Sequence, residues 1–516
     1  MTPSPPRAGT REWLGLAVLA LPSVIYAMDL TVLNLAVPQL TRDLAPSAAE
    51  LLWIVDIYGF LVAGALVTMG TLGDRIGRRR LLLIGAAAFG AASAVAAFAQ
   101  SPAQLIAARA LQGIAGATLA PSTLSLIRNL FPDESQRQTA IAVWIASFSA
   151  GGALGPVLGG VLLEHYWWGS VFLVNLPVMA LLLAVGPFLL PEFRDPQPGR
   201  LDLVSAALSL FAVLAVIFGL KDLAENGLPL RAVAAIFAGV ALSLVFIRRQ
   251  RRLAFPFVDL ELFVARAFRA ALTINLFGAF FISGLFLFIA QYQQLVLGLS
   301  PLQAGLWSLP AACAFIVGSA VVPVLAPRLS VRVMMIGGLV VAAAGFAILL
   351  SVRPEGSLPA VVAGSVVFSF GFTPVAALTT DIVVSAAPPE RAGSAAALSE
   401  TAFELGGALG IALLGSLATA IYRLRMLDAV PGGLAPAVAD AARATLGGAV
   451  AAAREAPAFA ELLLPAARAA FTEGFVVSAG LALVIALGLM ALARVALRTG
   501  RQPPGTGQLP PRVDRV

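Results

Sequence analysis

Val67-Thr68-Met69-Gly70-Thr71-Leu72-Gly73-Asp74-Arg75-Ile76-Gly77-Arg78-Arg79-Arg80-Leu81-Leu82-Leu83-Ile84 carries two apolar runs joined by a short turn that holds one acid and four arginines. Gly73 and Gly77 permit the close backbone approach that so short a connection between two helices needs. Asp74 can sit against a helix N-terminus or pair with a neighbouring arginine. Arg75, Arg78, Arg79 and Arg80 hold the turn on the cytoplasmic side of a bilayer, where positive loops stay. The flanking runs have the length, about 20 residues, that a helix needs to cross the hydrocarbon core.

Outward from this turn the same pattern repeats along the chain. Apolar runs lie near 13–38, 50–70, 81–100, 103–127, 138–163 and 170–190, then 202–220 and 230–247. Six more follow near 268–291, 302–325, 333–352, 358–383, 393–422 and 471–495. The 516-residue chain is 59% apolar and 12% charged, whereas soluble domains carry about a quarter charged residues. A soluble core this apolar would leave too few polar groups to cover its exterior. The sequence therefore predicts an all-α membrane protein with fourteen transmembrane helices. The first run, from Trp13, lacks a small-residue cleavage site and reads as a retained helix rather than a signal peptide.

The order is six spans, two spans, six spans. Residues 1–12 form a cytoplasmic N-terminus, 13–190 a first six-helix half and 191–267 linkers with two extra helices. Residues 268–495 form a second six-helix half, and 496–516 a cytoplasmic tail. Arg7, Arg11, Arg498, Arg501, Arg512 and Arg515 place both termini in the cytoplasm. The extra pair is plain between its flanks, with Lys221, Asp222 and Glu225 assigned to its connecting loop, and reads as an inserted hairpin. The two six-helix halves read as repeats, and a path across the bilayer would run between them. Residues 423–470 form a long outer segment with helical periodicity, read as a helical hairpin that either gates or merely packs.

The formal charge of +7 comes from juxtamembrane clusters, including Arg248, Arg249, Arg251 and Arg252, and not from one contiguous basic face. That excludes nucleic acid as a partner and leaves membrane lipids. The single cysteine, Cys313, excludes an internal disulfide. The single histidine, His165, lies beside Tyr166, Trp167 and Trp168 in an interfacial aromatic belt and not in a metal site. No catalytic triad, metal-ligand spacing or phosphate-binding Gly-Lys-Ser/Thr loop is present, so the chain reads as no enzyme, with no cofactor and no metal. Its energy source is an ion gradient.

Among the carboxyl groups inside apolar spans, Asp29, Asp56, Glu400 and Glu404 stand out. Glu400 and Glu404 are one turn apart and share a helix face. Acids inside a membrane are costly and mark ion or substrate routes. A carboxylate there can hold either a proton or a lipophilic cation, which makes these four the candidate substrate and proton sites. Arg109 and Gln112 in the fourth span are either a structural anchor or part of a proton relay. Gly151, Gly155 and Gly159 make one smooth helix face for close packing, beside Gly160, and Pro156 permits a bend. Tyr26, Trp53, Tyr58 and Phe403 lie near the acids and could stack on a delocalised cation.

These stretches carry a family resemblance. Gly70, Gly73, Asp74, Arg75, Gly77, Arg78 and Arg79 match the signature loop of the major facilitator superfamily. Arg109-Ala-Leu-Gln112-Gly113 resembles its fourth-helix motif in proton-driven exporters. Gly151-Gly-Ala-Leu-Gly155-Pro156-Val-Leu-Gly159-Gly160 resembles its antiporter motif. Met28-Asp29-Leu30-Thr31, Leu52-Trp53-Ile54-Val55-Asp56-Ile57-Tyr58, Leu124-Ser125-Leu126-Ile127-Arg128, Ala395-Ala-Ala-Leu-Ser399-Glu400 and Leu405-Gly406 are similar to the fourteen-helix drug:proton antiporter family, and among its members to a quaternary ammonium exporter. The long outer segment before the last helix is similar too.

The resemblance implies a major facilitator fold and a monomer in the bacterial cytoplasmic membrane. It implies proton-coupled antiport of hydrophobic, cationic drugs and biocides, with Asp29 and Asp56 as acids for cationic drugs. A dedicated exporter of one metabolite or self-made antibiotic is the alternative. Two departures concern charge. The exporter resembled has adjacent glutamates where this chain has Ser399-Glu400, and an acid in the tenth helix where this chain reads Leu309-Pro310-Ala-Ala-Cys313. Both departures bear against recognition of divalent cations, and monovalent lipophilic cations stay open as cargo.

Overall fold

The computed structural model describes residues 8–194, 202–226, 228–253, 260–325, 328–386, 392–431 and 433–497. Among these, all regular structure is helical. The first six spans are α1 (Thr10–Leu44), α2 (Ala48–Ile76), α3 (Arg78–Ala97), α4 with α5 (Pro102–Gly116 and Leu119–Leu130), α6 (Glu134–His165), and α7 with α8 (Ser170–Leu173 and Asn175–Leu189). The two extra helices are α9 (Leu203–Asn226) and α10 (Leu230–Gln250). Then come α11 (Arg266–Gln291), α12 (Pro301–Leu325), α13 (Val331–Leu349), α14 (Leu358–Ser385) and α15 (Ala392–Met426). Two short helices, α16 (Pro436–Ala444) and α17 (Leu446–Glu455), precede α18 (Ala460–Ala496). Fourteen helical segments among the described residues are long and apolar enough to cross a membrane, each coinciding with an apolar run of the sequence. Arg7, Arg498, Arg501, Arg512 and Arg515, which bear on the side of the termini, lie outside the described residues.

Two spans are broken where the sequence suggested continuous runs, each break lying within the four residues before a proline. Pro121 lacks the N–H that would bond the Ala117 carbonyl and Pro177 the one for Leu173. The last helix begins at Ala460, earlier than the apolar run near 471–495, and continues through Pro465. Residues 436–455 form the short helical pair α16–α17, as helical periodicity suggested. Tyr422 of α15 donates to the Ala442 carbonyl at 2.9 Å and ties the pair to the bundle.

The connecting segment of the extra pair differs from expectation. Lys221 and Asp222 lie on α9 itself, not in a loop. Asp222 accepts from Arg231 at 2.7 and 2.8 Å and closes that end of the pair. At the other end Arg249 donates to Asp202 at 2.9 Å and to Ser205 at 3.1 Å. Burial pushes the Asp202 carboxyl up, but the hydrogen bonds from Ser205 and Arg249 outweigh it and hold the group below the usual carboxylate range.

Glycine sets the closest helix contacts. On α6, a Cβ at Gly151 would overlap the Val24 carbonyl, one at Gly155 the Thr31 hydroxyl, and one at Gly159 the Val32 side chain, all on α1. The other flank of α6 meets the second set of six: a Cβ on Gly160 would come within 2.8 Å of the Leu302 Cα, and one on Gly305 would overlap the Pro156 carbonyl. The second such junction is α2 on α15, where Gly59 faces Ala408 and Gly415 faces Leu52. These approaches run from mid-bundle to the end that carries His165 and α16–α17. There Gln294 donates to the Leu35 carbonyl at 3.0 Å, and Leu302 N–H to Glu164 at 3.4 Å.

Candidate transport site

The fourth span places its charge two turns into helix α4. Ser101 caps α4 by accepting from Gln104 N–H, and Arg109 follows on the buried face, 1% exposed. Its Nη1 donates to Asp29 Oδ2 and, at 3.2 Å, to Gln112 Oε1; its Nε reaches the Ile54 carbonyl at 3.4 Å. The network extends further. Gln112 donates to Ser93 at 2.8 Å, and Asn175 donates to both Ser93 and Asp29, at 3.1 and 3.3 Å. The guanidinium also lies 4.6 Å from the Tyr58 ring centre and 5.7 Å from that of Phe172. A bare guanidinium at this depth costs several kcal/mol; the Asp29 carboxylate and two ring faces offset it. Arg109, Gln112 and Asp29 thus form one site, wholly within the first six spans. Ser93 and Asn175 had no signal in the sequence beyond being polar residues in apolar runs.

The second cluster spans the two halves. Tyr26 of α1 donates to Glu404 Oε1 of α15 at 2.5 Å, and both side chains are buried. Glu400, one turn earlier, is half-buried, as is Phe403. The Tyr26 ring lies 6.1 Å from Tyr58 and 5.7 Å from Phe148, which packs edge-on against Trp144 at 4.8 Å. The Tyr58 hydroxyl is buried and makes no hydrogen bond. Neither Glu400 nor Glu404 has a basic partner among the described residues. One turn apart, their charges repel when both are ionised. The chemistry available is that of an acid pair with aromatic walls: it can bind a proton or an organic cation.

Asp56 is arranged differently. Lys221 of α9 lies 2.7 and 2.9 Å from its two carboxylate oxygens, and the ammonium sits 3.7 Å above the Trp53 ring centre. Lys221 and Asp56 are each 1% exposed. The extra helices therefore bring a buried charge into the bundle, contrary to their plain appearance in sequence. A lysine at the end of an apolar run looks like a loop residue; only the length of α9 shows that the helix continues past it. Trp53 is engaged by Lys221, not by the α15 glutamates.

The basic turn is a clamp. Arg78 bonds Asp74 at 2.5 Å, one turn back. Gly77 sits at φ 111°, a conformation other residues rarely adopt, and a Cβ on Gly73 would touch Arg78. Gly70 has open space beyond Pro121, and Arg75 is exposed. Glu192, just after α8, accepts the Arg79 and Arg80 N–H groups at 3.1 and 3.2 Å, capping α3, and pairs with the Arg79 side chain. Arg79 also bonds the Pro187 and Leu190 carbonyls, at 3.1 and 3.0 Å.

Comparison with known proteins agrees with this architecture. The model for the Major Facilitator Superfamily matches residues 19–411. The multidrug efflux pump LfrA of Mycolicibacterium smegmatis is 46% identical over 96% of this chain and 98% of its own. The methyl viologen resistance protein SmvA of Salmonella typhimurium is 35% identical over 95% of this chain and all of its own. Among solved structures, a bacterial homologue of the human lysosomal transporter Spinster, inward-facing and unoccupied, superposes with a TM-score of 0.67 at 18% identity. It covers 96% of this chain and 100% of that one. With fourteen apolar helices, a glycine-lined junction between two six-helix sets and a family match over most of its length, the chain belongs to the major facilitator superfamily and is a multi-pass membrane transporter rather than an enzyme.

Proposed function

We propose that the protein is a proton-coupled antiporter that exports hydrophobic cationic compounds, such as quaternary ammonium biocides and dyes, across the bacterial cytoplasmic membrane. The observation that carries this reading is the Glu404 carboxyl: buried, bonded by Tyr26 from the other half, and one turn from Glu400 with no basic partner for either. A carboxylate in that setting accepts a lipophilic cation or a proton, and the two exclude one another. That exclusion is the least coupling an antiporter needs.

The cycle follows from where the halves touch. With the α16–α17 end outermost and both termini in the cytoplasm, the Gly160–Leu302 and Gly305–Pro156 approaches are the closed outer side of an inward-facing state. A cation from the cytoplasm or inner leaflet reaches the α15 glutamates along the aromatic wall of Tyr26, Phe148 and Trp144. The two six-helix halves then rock about the site, and protonation on the outer side releases the cation. Asp29 serves through Arg109: a proton on Asp29 would free the guanidinium and report protonation to α2 through the Ile54 carbonyl. The names of the similar proteins, a multidrug efflux pump and a methyl viologen resistance protein, support drugs and organic cations as cargo.

The test is ethidium transport into everted membrane vesicles that carry the wild type, Glu400→Gln or Glu404→Gln, with and without a protonophore. Uptake that needs the proton gradient and is lost in Glu404→Gln is the expected result. Uptake that survives the protonophore removes the coupling, and a wild type that moves no cationic dye removes the cargo.

A further inference from the structure

Lys221 is the only lysine among the chain's 34 basic residues. It is also among the largest fully buried side chains. Its ammonium meets one carboxylate and one indole face, and those two partners suit an ammonium in particular. A compact point charge fits between a single acid and a ring, whereas a guanidinium presents a fork of donors that would look for further acceptors. An acid beside an aromatic face is also the arrangement that receives an organic cation from solution. Asp56 and Trp53 thus form a complete cation site, and its occupant is part of the protein.

The occupant is held in place by the helix that bears it. Ile217 of α9 packs with Ile57, Phe60 and Leu61 of α2 and with Ala408 and Ala412 of α15, so α9 covers the seam between the two halves. Asp222–Arg231 and Asp202–Arg249 fasten α9 to α10 at both ends. The α15 helix in this seam is the one that carries Glu400 and Glu404. Of Asp29, Asp56, Glu400 and Glu404, Asp29 is compensated by Arg109 and Asp56 by Lys221, while the α15 glutamates have no such partner among the described residues.

We infer that Lys221 is a specificity residue: as a tethered counter-cation it fills the Asp56–Trp53 site and cancels that carboxylate, so that only the α15 glutamates act on the charge of the cargo. This rests on the reading of the cargo as a cation. It makes the extra helix pair, and not the six-plus-six core, responsible for withholding a second acid from transported molecules. Removing the ammonium while keeping Asp56 would add one uncompensated negative charge near the path and favour dications.

Ethidium and propidium share one aromatic ring system, and propidium adds an arm with a second quaternary ammonium, so the change in their transport ratio between wild type and variant reads charge preference. Lys221→Gln should raise the propidium-to-ethidium ratio about tenfold, the order expected for one added charge a few ångströms away across partly wet protein. Lys221→Gln with Asp56→Asn should return the ratio to the wild-type value. An unchanged ratio in Lys221→Gln, with ethidium transport intact, overturns the inference and leaves the transport reading standing. A wild type that moves neither dye sinks that reading instead.

A measurement on the wild type covers the case in which Lys221→Gln does not fold. Because the chain has one lysine, acylation of the detergent-purified protein with an amine reagent, followed by peptide mass analysis, reports Lys221 directly. Lys221 should stay unmodified with and without saturating ethidium, and react once the protein is unfolded. Modification of Lys221 in the folded protein would show that it leaves the site unaided, and exposure by ethidium that the cargo takes its place; either result overturns the inference.

Discussion

Asp29→Asn tests whether the first-half network is a charge pair that the bilayer enforces. The replacement keeps the size of the side chain, and its amide oxygen can still accept from Asn175, which now lies 3.3 Å from Oδ1. What it removes is the negative charge beside Arg109, a side chain only 1% exposed. The guanidinium would retain two neutral acceptors, Gln112 Oε1 at 3.2 Å and the Ile54 carbonyl at 3.4 Å, and the faces of Tyr58 and Phe172. Cation–π contacts contribute about 0.5–2 kcal/mol each, whereas stranding one member of a buried pair costs roughly 3–5 kcal/mol. The rings soften the loss without cancelling it, and a net destabilisation of about 3 kcal/mol is expected. Thermal unfolding of the purified protein in detergent measures it. Asp29→Asn and Arg109→Gln should each melt well below the wild type, and the double variant above both, because it buries no unpaired charge. Asp29→Asn melting with the wild type, or a double variant as weak as the worse single, would refute the reasoning.

Tyr26→Phe removes the hydroxyl that Glu404 accepts; a hydrogen bond to a charged group is worth roughly 1.5–3 kcal/mol, so ethidium transport should fall at least about tenfold while the protein stays folded. Glu192→Ala uncovers two N–H groups at the start of α3 and should lower stability by about 1–2 kcal/mol, as loss of a helix cap does, read as a lower melting midpoint. With Cys313→Ser as background, Glu164→Cys and Leu302→Cys replace residues now in contact at the α16–α17 end. A short bis-methanethiosulfonate bridge between them should form, stop transport and release it on reduction; unaltered transport in the bridged protein would show that this junction does not open.

Much of the fold was legible because the bilayer imposes it. Length and apolarity alone define each span, and Gly73, Asp74, Gly77 and Arg78 mark one turn, in which Arg78 bonds Asp74 and Gly77 takes a positive φ. The glycines at 151, 155 and 159 announced a smooth face, but not its neighbour. That α1 covers them, while Gly160 on the next flank meets α12, is a matter of packing between segments distant in sequence. The breaks at Ala117 and Val174 were not legible, because Pro121 and Pro177 free a carbonyl just as Pro156 and Pro465 do in helices that run on. The pairing of the acids was not legible. Asp29 and Asp56 look alike in sequence, each a lone acid among apolar neighbours. Their partners come from α4 and from α9, at separations of 80 and 165 residues.

That difference in pairing separates the four acids by role. Within the hydrocarbon region a charge is tolerated when something nearby offsets it, and the chain supplies the offset for two of its acids from its own basic residues. Arg109 completes Asp29 and Lys221 completes Asp56, both out of contact with solvent. The α15 glutamates receive a tyrosine hydroxyl and no cation. A permanent basic partner there would leave a transported cation nothing to bind and a proton nothing to displace. Under the proposed reading, the positive charge that completes Glu400 and Glu404 comes from outside the chain, as proton or as cargo in turn. The same logic explains why a compensated acid can sit at the seam of the two halves without taking part in the exchange: Asp56 already has its cation.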